Sequence, residues 1–210
     1  MLNILIPFNR KIHNLKNLRK ILSTFNNYTF KKQIIVVEWG DKKSLEDIAI
    51  PFKYEFICTT INKKNLAINI GTKLCNPDSA LLVMEPNFIF SEKIIDNALK
   101  LINNKDIIKI YRKDHMSAIL FKNRKILYSI GLYDENFFLL SQEMLEKKIE
   151  LLNYEELNEI SEYLESNWIK NDTLFNKELQ FLNQLKSLKK EEFINYINIS
   201  KPKFGIKNIF

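Results

Sequence analysis

Two acids stand where apolar runs stop. Glu85, followed at two residues' distance by Asn87 across Pro86, closes the run Ala80 to Met84, and Glu38 closes Gln33 to Val37. Runs of that length predict buried strands, so each delivers its polar groups to the end of a strand. In an open α/β sheet a ligand lies beyond the carboxyl ends of the strands, and Glu85 and Asn87 would meet it there if the sheet is parallel. The same residues also describe a strand ending in an ordinary proline-containing turn, and taken alone they do not choose.

The elements that would position these groups follow from periodicity. Leu2 to Phe8 reads as a short buried strand, with Asn9-Arg10-Lys11 as a polar loop and Asn14 as a helix cap. Leu15, Leu18, Ile21, Leu22 and Phe25 then recur at helical spacing. The second strand, Gln33 to Val37, makes a right-handed parallel crossover with the first. A short helical turn is expected at Ser44 to Ile48, a strand at Tyr54 to Cys58, and a helix from Lys64 to Leu74 whose stripe Leu66, Ile70 and Leu74 would face the sheet. After the Glu85 strand, Ser91 caps a helix from Glu92 to Ile102, with an acid in its first turn and Lys100 in its last.

Beyond that helix the alternation stops. Ile107 to Tyr111 and Met116 to Phe121 are successive strand candidates, free to run antiparallel, followed by a short helix from Arg124 to Ile130 ended by Gly131. Tyr133 to Phe138 is an acidic aromatic loop, and Gln142 to Leu152 is helical. From Tyr154 onward only helices are expected, at Glu155 to Trp168, Leu174 to Leu188 and Glu191 to Ile197. The chain thus divides into an α/β domain, residues 1–153, and a C-terminal helical extension, 154–210.

Composition sets bounds on function. Hydrophobic residues make up 46% of the chain and aromatics 12%, which excludes disorder. A net charge of +7 suits an anionic partner, whether nucleotide, phospholipid or nucleic acid. No recognition-helix, zinc or aromatic RNA-binding motif accompanies it, so nucleic acid is set aside. Cys58 and Cys75 are too few and too far apart for a disulfide framework or a zinc site, which points to a reducing compartment. The N-terminus has no signal-peptide pattern and no stretch approaches ~18 apolar residues, so the expectation is a cytoplasmic chain, at most peripheral at the inner face of the membrane. The final residues, Lys201 to Phe210, interleave lysines with large apolar side chains, as a membrane contact or a docked terminus would.

In order and separation, Ile4-Leu5-Ile6-Pro7-Phe8-Asn9, Ile34 to Asp41, Asn65 to Gly71, Leu82 to Ser91 and Ser117 to Phe138 form a series. Over about the first 150 residues that series resembles nucleotide-sugar glycosyltransferases of the GT-A fold, family 2 type. Pro7-Phe8-Asn9-Arg10 and the Asn62-Lys63-Lys64 run are also similar to the β-1,4-galactosyltransferase branch. The resemblance implies a GT-A-like, Rossmann-like, mostly parallel sheet flanked by helices. It implies a nucleotide-sugar donor, a UDP-sugar favoured, bound by Pro7, Phe8, Asn9, Glu38, Trp39, Lys64, Asn65, Glu85 and Asn87, and a glycan or glycolipid acceptor. The setting would be assembly of a bacterial-type surface polysaccharide or glycolipid.

The chain departs from that pattern at its acids. Where the family has Asp-x-Asp for a divalent cation, this sequence has Glu85-Pro86-Asn87. These oxygens are hard ligands for Mg²⁺ or Mn²⁺, with one negative charge fewer, so both weak metal binding and none fit. The residue matching the general base is Met144; Glu143 and Glu146 are the nearby acids that would replace it, or else are solvated carboxylates beside Lys147 and Lys148. Trp39 stands for the second acid of the strand-two pair, where an indole would stack on uracil or fill the core. Lys63, Lys64, Arg112 and Lys113 would help neutralise a diphosphate. Two readings remain: a sugar-transfer enzyme, or a catalytically inactive protein of the same fold that scaffolds a partner glycosyltransferase.

Overall fold

A computed structural model describes residues 1–46, 48–59, 64–112, 115–133, 141–158, 162–163, 180, 183–184 and 187–200. Its strands are β1 (Leu2–Phe8), β2 (Lys32–Gly40), β3 (Lys53–Cys58), β4 (Ala80–Met84), β5 (Phe88–Ile89), β6 (Ile107–Arg112), β7 (His115–Phe121), β8 (Tyr154–Asn158) and β9 (Glu162–Tyr163). Its helices are α1 (Leu15–Asn26), α2 (Lys64–Leu74), α3 (Glu92–Leu101), α4 (Arg124–Ser129), α5 (Ser141–Ile149) and α6 (Lys190–Ser200). Seven strands form one sheet in the order β3-β2-β1-β4-β7-β6-β8. Neighbours in the first four are parallel, β7 is antiparallel to both β4 and β6, and β8 runs parallel to β6. This is the expected mostly parallel α/β sheet, with helices on its faces.

Both faces of the central strands are buried, which is why β4 reads as an apolar run and β1 as one broken only by the buried Asn3. On one side Ile4, Ile6 and Phe8 of β1 pack with Leu18, Ile21, Leu22 and Phe25 of α1 and with Ile94, Ile95 and Ala98 of α3. On the other, Leu5 joins Ile35, Val37, Ala67 and Ile68, and further along the sheet Leu127, Leu145 and Ile149. Each such aliphatic side chain contributes roughly 1.5–3 kcal/mol by leaving water. Asn14 caps α1 by accepting the amide of Lys16 at 2.8 Å, and Ser91 caps α3 through the amide of Ile94 at 3.3 Å, both as expected.

Helix α2 has the expected bounds, and Ile70 and Leu74 of the expected stripe pack against the core on that face of the sheet, but the most buried side of the helix is an adjacent one. Its buried residues are Asn65, Ala67, Ile68, Asn69, Gly71 and Thr72, whereas Leu66, Ile70 and Leu74 are only half-buried. Close approach explains the rotation. A Cβ on Gly71 would stand 2.2 Å from Leu5 Cδ1 and 3.0 Å from Val37 Cγ2, so only small residues fit where the helix crosses β1 and β2.

Two further expectations are overturned. In the described part of Ser44 to Ile48 no helix forms, only a turn closed by Ile48 N–H to Leu45 O at 3.2 Å. Ser44 gives its amide and hydroxyl to the Glu38 carboxylate instead of starting a helix. The expected helix from Glu155 also gives way to extended chain, β8 and then β9. The open edge of β6 supplies the partner: Ile107 to Tyr111 pair in register with Tyr154 to Asn158, and Lys109 bonds Glu156 at 3.1 Å while lying over the Tyr154 ring. Strand pairing there outweighs a short helical pattern. β9 pairs antiparallel with β5. Of the expected helix at Leu174 to Leu188 most residues lie outside those described, as does the tail 201–210. The last one appears as α6. Among the described residues no helix is long and apolar enough to cross a membrane.

Candidate functional site

The parallel strands end along one edge, and between β1, β4, β7 and the start of α2 lies an open cleft. Its lining includes Pro7, Lys64, Ile68, Glu85, Ser117 and Tyr133. At its centre the Lys64 ammonium forms an ion pair with the Glu85 carboxylate, the two side chains 23% and 27% exposed. Burial by itself would raise the Glu85 carboxyl; the Lys64 charge, and after it His13, outweigh burial and hold it below the ordinary carboxylate range. Burial, with the charge of Glu85 added, pushes the Tyr133 phenol well above its usual value. Both groups are therefore fixed at neutral pH, Glu85 ionised and Tyr133 protonated.

Backbone and buried amides hold the walls of this cleft. The Glu85 amide donates to Ser117 O at 3.5 Å, and the Ser117 hydroxyl to Ile110 O at 3.0 Å, tying β4, β7 and β6 together. Tyr133 is clamped through its main chain: its amide donates to Asn69 Oδ1 at 3.0 Å, and Asn69 Nδ2 donates to its carbonyl at 2.9 Å. The turn that presents it has Gly131 and Leu132 at positive φ, 80° and 63°. The buried Lys148 of α5 secures that turn with a bond from Nζ to Leu132 O at 3.0 Å. Sequence reasoning named neither Asn69 nor Tyr133 as a site residue; an amide in the middle of a helix beside small residues was the available signal.

A second cluster lies where β1 passes into α1. Asn9 uses all of its polar groups internally: Nδ2 donates to Trp39 O at 2.7 Å, Oδ1 accepts from the Lys11 amide at 2.9 Å, and its own amide donates to His13 Nδ1 at 3.0 Å. With Nδ1 accepting, a neutral His13 carries its proton on Nε2. Burial drops the imidazole to about 4, with Glu85 pulling it up and Lys64 down, so His13 is neutral near pH 7 and within electrical reach of the ion pair. Its ring packs between Phe8 and Trp39, at centroid distances of 5.7 and 6.0 Å. Phe8 and Trp39 are core side chains, 0% and 1% exposed, and Asn65 is buried at 4%. Trp39 Nε1 has no hydrogen-bond partner among the described residues.

Glu38 stands on β2, across β1 from Glu85, and its surroundings differ. It is 1% exposed and accepts from the Ser44 amide at 3.1 Å, from the Ser44 hydroxyl and from the Tyr54 hydroxyl. On the far side of the cleft α5 carries Glu146 half-buried, its charge reaching Tyr111 at the end of β6. The side chains of Glu143, Met144 and Arg112 lie outside the described residues, as do Lys63, Lys113 and the loop 134–140. The structure thus brings Pro7, Lys64 and Glu85 together in the cleft, places Asn9, Glu38, Trp39 and Asn65 in buried layers behind it, and sets Glu146 apart on α5.

A divalent cation does not fit the oxygens present. Asn87 Oδ1 is buried with no hydrogen-bond partner among the described residues and has lone pairs to offer. Glu85, the single charged ligand, is already committed to an ammonium, and a dication brought to it would be repelled by Lys64. No group of three or more His, Cys, Asp or Glu side chains suited to a metal occurs among the described residues.

This mostly parallel sheet flanked by helices is the GT-A-like fold found in nucleotide-diphospho-sugar transferases, and the chain has that fold. S. aureus TarS matches it with a TM-score of 0.67 and 11% identity over 94% of this chain and 42% of that one. The chain therefore spans less than half of that TarS chain. TarS residues 1-349 in complex with UDP match with a TM-score of 0.67 and 10% identity, covering 99% and 73% of the two chains. The mannosyltransferase PcManGT from Pyrobaculum calidifontis, in complex with GDP-Man and Mn²⁺, matches at 0.63 and 9% identity over 96% and 71%. No protein-family model matches the chain, and no curated protein sequence matches it.

Proposed function

We propose that the chain binds a nucleotide-sugar donor, a UDP-sugar favoured, across the ends of β1, β2 and β4, and acts as a glycosyltransferase of the family 2 type. The observation that carries this reading is the ion pair Lys64–Glu85 in an open cleft at the carboxyl end of β4, the end of the strands at which ligands of open α/β sheets generally bind. Its diphosphate would meet Lys64, and its sugar would lie toward Ser117 and Tyr133. The acceptor, a glycan or glycolipid of a surface polysaccharide, would enter from the α5 side, where Glu146 or Glu143 is the nearest acid able to take a proton from a hydroxyl. The basic, aromatic tail 201–210 would bring the chain to the membrane surface that carries such an acceptor.

One observation favours the inactive alternative: the position that matches the general base is Met144, on α5, and a thioether takes no proton. A scaffold that keeps donor binding without transfer would look the same at Lys64 and Glu85. Two measurements separate the cases. Thermal-shift titration with UDP, GDP and their sugars should raise the unfolding midpoint for one nucleotide, because a ligand of the native state stabilises it by mass action. Release of the nucleoside diphosphate from the stabilising donor should then be followed with time. Stabilisation with turnover supports the transferase, stabilisation without turnover the scaffold, and no stabilisation by any donor overturns both.

A further inference from the structure

We propose that Lys64 stands where the fold would otherwise need a divalent cation, so that a nucleoside diphosphate is held by a resident ammonium and binds without metal. The inference rests on the nucleotide-sugar reading and names how its diphosphate is recognised.

Charge balance is the first support. Two carboxylates holding a dication form a neutral unit, and so does one carboxylate holding an ammonium. Here the second acid is the neutral Asn87, and the cation on Glu85 carries one charge instead of two. The layering also matches, because an ammonium has three N–H donors and can face a carboxylate on one side and phosphate oxygens on the other.

Position is the second. Lys64 is the first residue of α2, so its side chain starts from the positive end of an 11-residue helix, and the pair lines the open cleft. Ile68 and Tyr133 form apolar walls around it, which strengthens any charge held there.

Stability gives the pair little reason to exist. Each side chain is about three-quarters buried, and the desolvation of two charges offsets most of their attraction. A diphosphate placed against Lys64 would add its own charge to the balance, and the Glu85 carboxylate then fixes where that ammonium sits.

The test is calorimetric titration of UDP and GDP into the full chain in EDTA and again in Mn²⁺. One nucleotide should bind equally in both buffers, and uridine or guanosine should bind far more weakly. The double substitution Lys64→Met with Glu85→Gln leaves no unpaired charge; it should keep the unfolding midpoint of the parent while weakening the diphosphate by about 10- to 100-fold. Lys64→Arg, which keeps the charge, should recover part of that loss. Mn²⁺ alone, followed through the paramagnetic resonance of the free ion, should not be taken up. Binding that appears only with Mn²⁺, uptake of one equivalent of Mn²⁺ by the protein alone, or a double variant with undiminished affinity in EDTA would each overturn the inference and leave donor binding standing. Absence of nucleotide binding in both buffers would overturn the two together.

Discussion

Glu38 and Glu85 both lie near the carboxyl ends of parallel strands, on either side of β1, and their surroundings assign them different work. Glu38 is closed off at 1% exposure by neutral donors from Ser44 and Tyr54. Glu85 is held by an ammonium, in a cleft, with a quarter of its side chain open to water. A carboxylate satisfied by neutral N–H and O–H groups of its own chain fixes a loop. A carboxylate that holds a cation against an open space positions that cation for something else.

Removing each acid should separate these roles. Glu38→Ala leaves a buried site empty and strands three part-buried donors, and should lower the unfolding free energy by about 3 kcal/mol in urea titration. The paired neutral substitution at Lys64 and Glu85 should change it by less than about 1 kcal/mol, since no buried charge is left alone. Equal losses would erase the distinction between the two ends.

Acid should act on the Glu85 side. Unfolded His13 takes up its proton near 6.5 and the folded residue only near 4, so between those values the unfolded state holds more protons. Stability is therefore lost as pH falls through that window, by about 3 kcal/mol in all. The depressed Glu85 carboxyl has the same sign, its contribution being present above 4.5 and lost as pH falls through its lower folded value. His13→Gln should flatten the stability profile from pH 6.5 to 4, and a slope unchanged by that substitution would show that another group is responsible.

Smaller effects probe what lies behind the cleft. Gly71→Ala places a methyl against Leu5 and Val37 and should cost about 2 kcal/mol by shifting α2, and with it Lys64. The ion pair Lys125–Asp78, with side chains 71% and 76% exposed, is the control for Lys64–Glu85. Lys125→Ala should alter stability by no more than about 0.5 kcal/mol and leave nucleotide affinity unchanged.

The parallel half of the sheet was legible because its central strands β1, β2 and β4 are buried on both faces and their apolar runs stop at polar residues. The place of Glu85 followed from the same rule. Three things were not legible. The buried residues of α2 include Asn65, Asn69, Thr72 and glycine beside Ala67 and Ile68, and hydrophobic periodicity passes over such polar and small residues. Strand β8 exists because β6 has an open edge, a property of the assembled sheet and not of Tyr154 to Asn158. The partner of Glu85 lies 21 residues away at the start of a helix, and only the crossover brings the two together. Lys64 could be named as a basic residue near a phosphate, whereas its pairing, on which the charge argument depends, could not.

The most direct test of the account is an amide NMR titration of the full chain with UDP. The account predicts saturable shifts concentrated at Lys64, Asn65, Glu85, Ser117 and Tyr133, with the amides around Asp78 and Lys125 unmoved. Shifts that cluster away from the Lys64–Glu85 cleft, or a spectrum unchanged at high concentrations of both UDP and GDP, would contradict it.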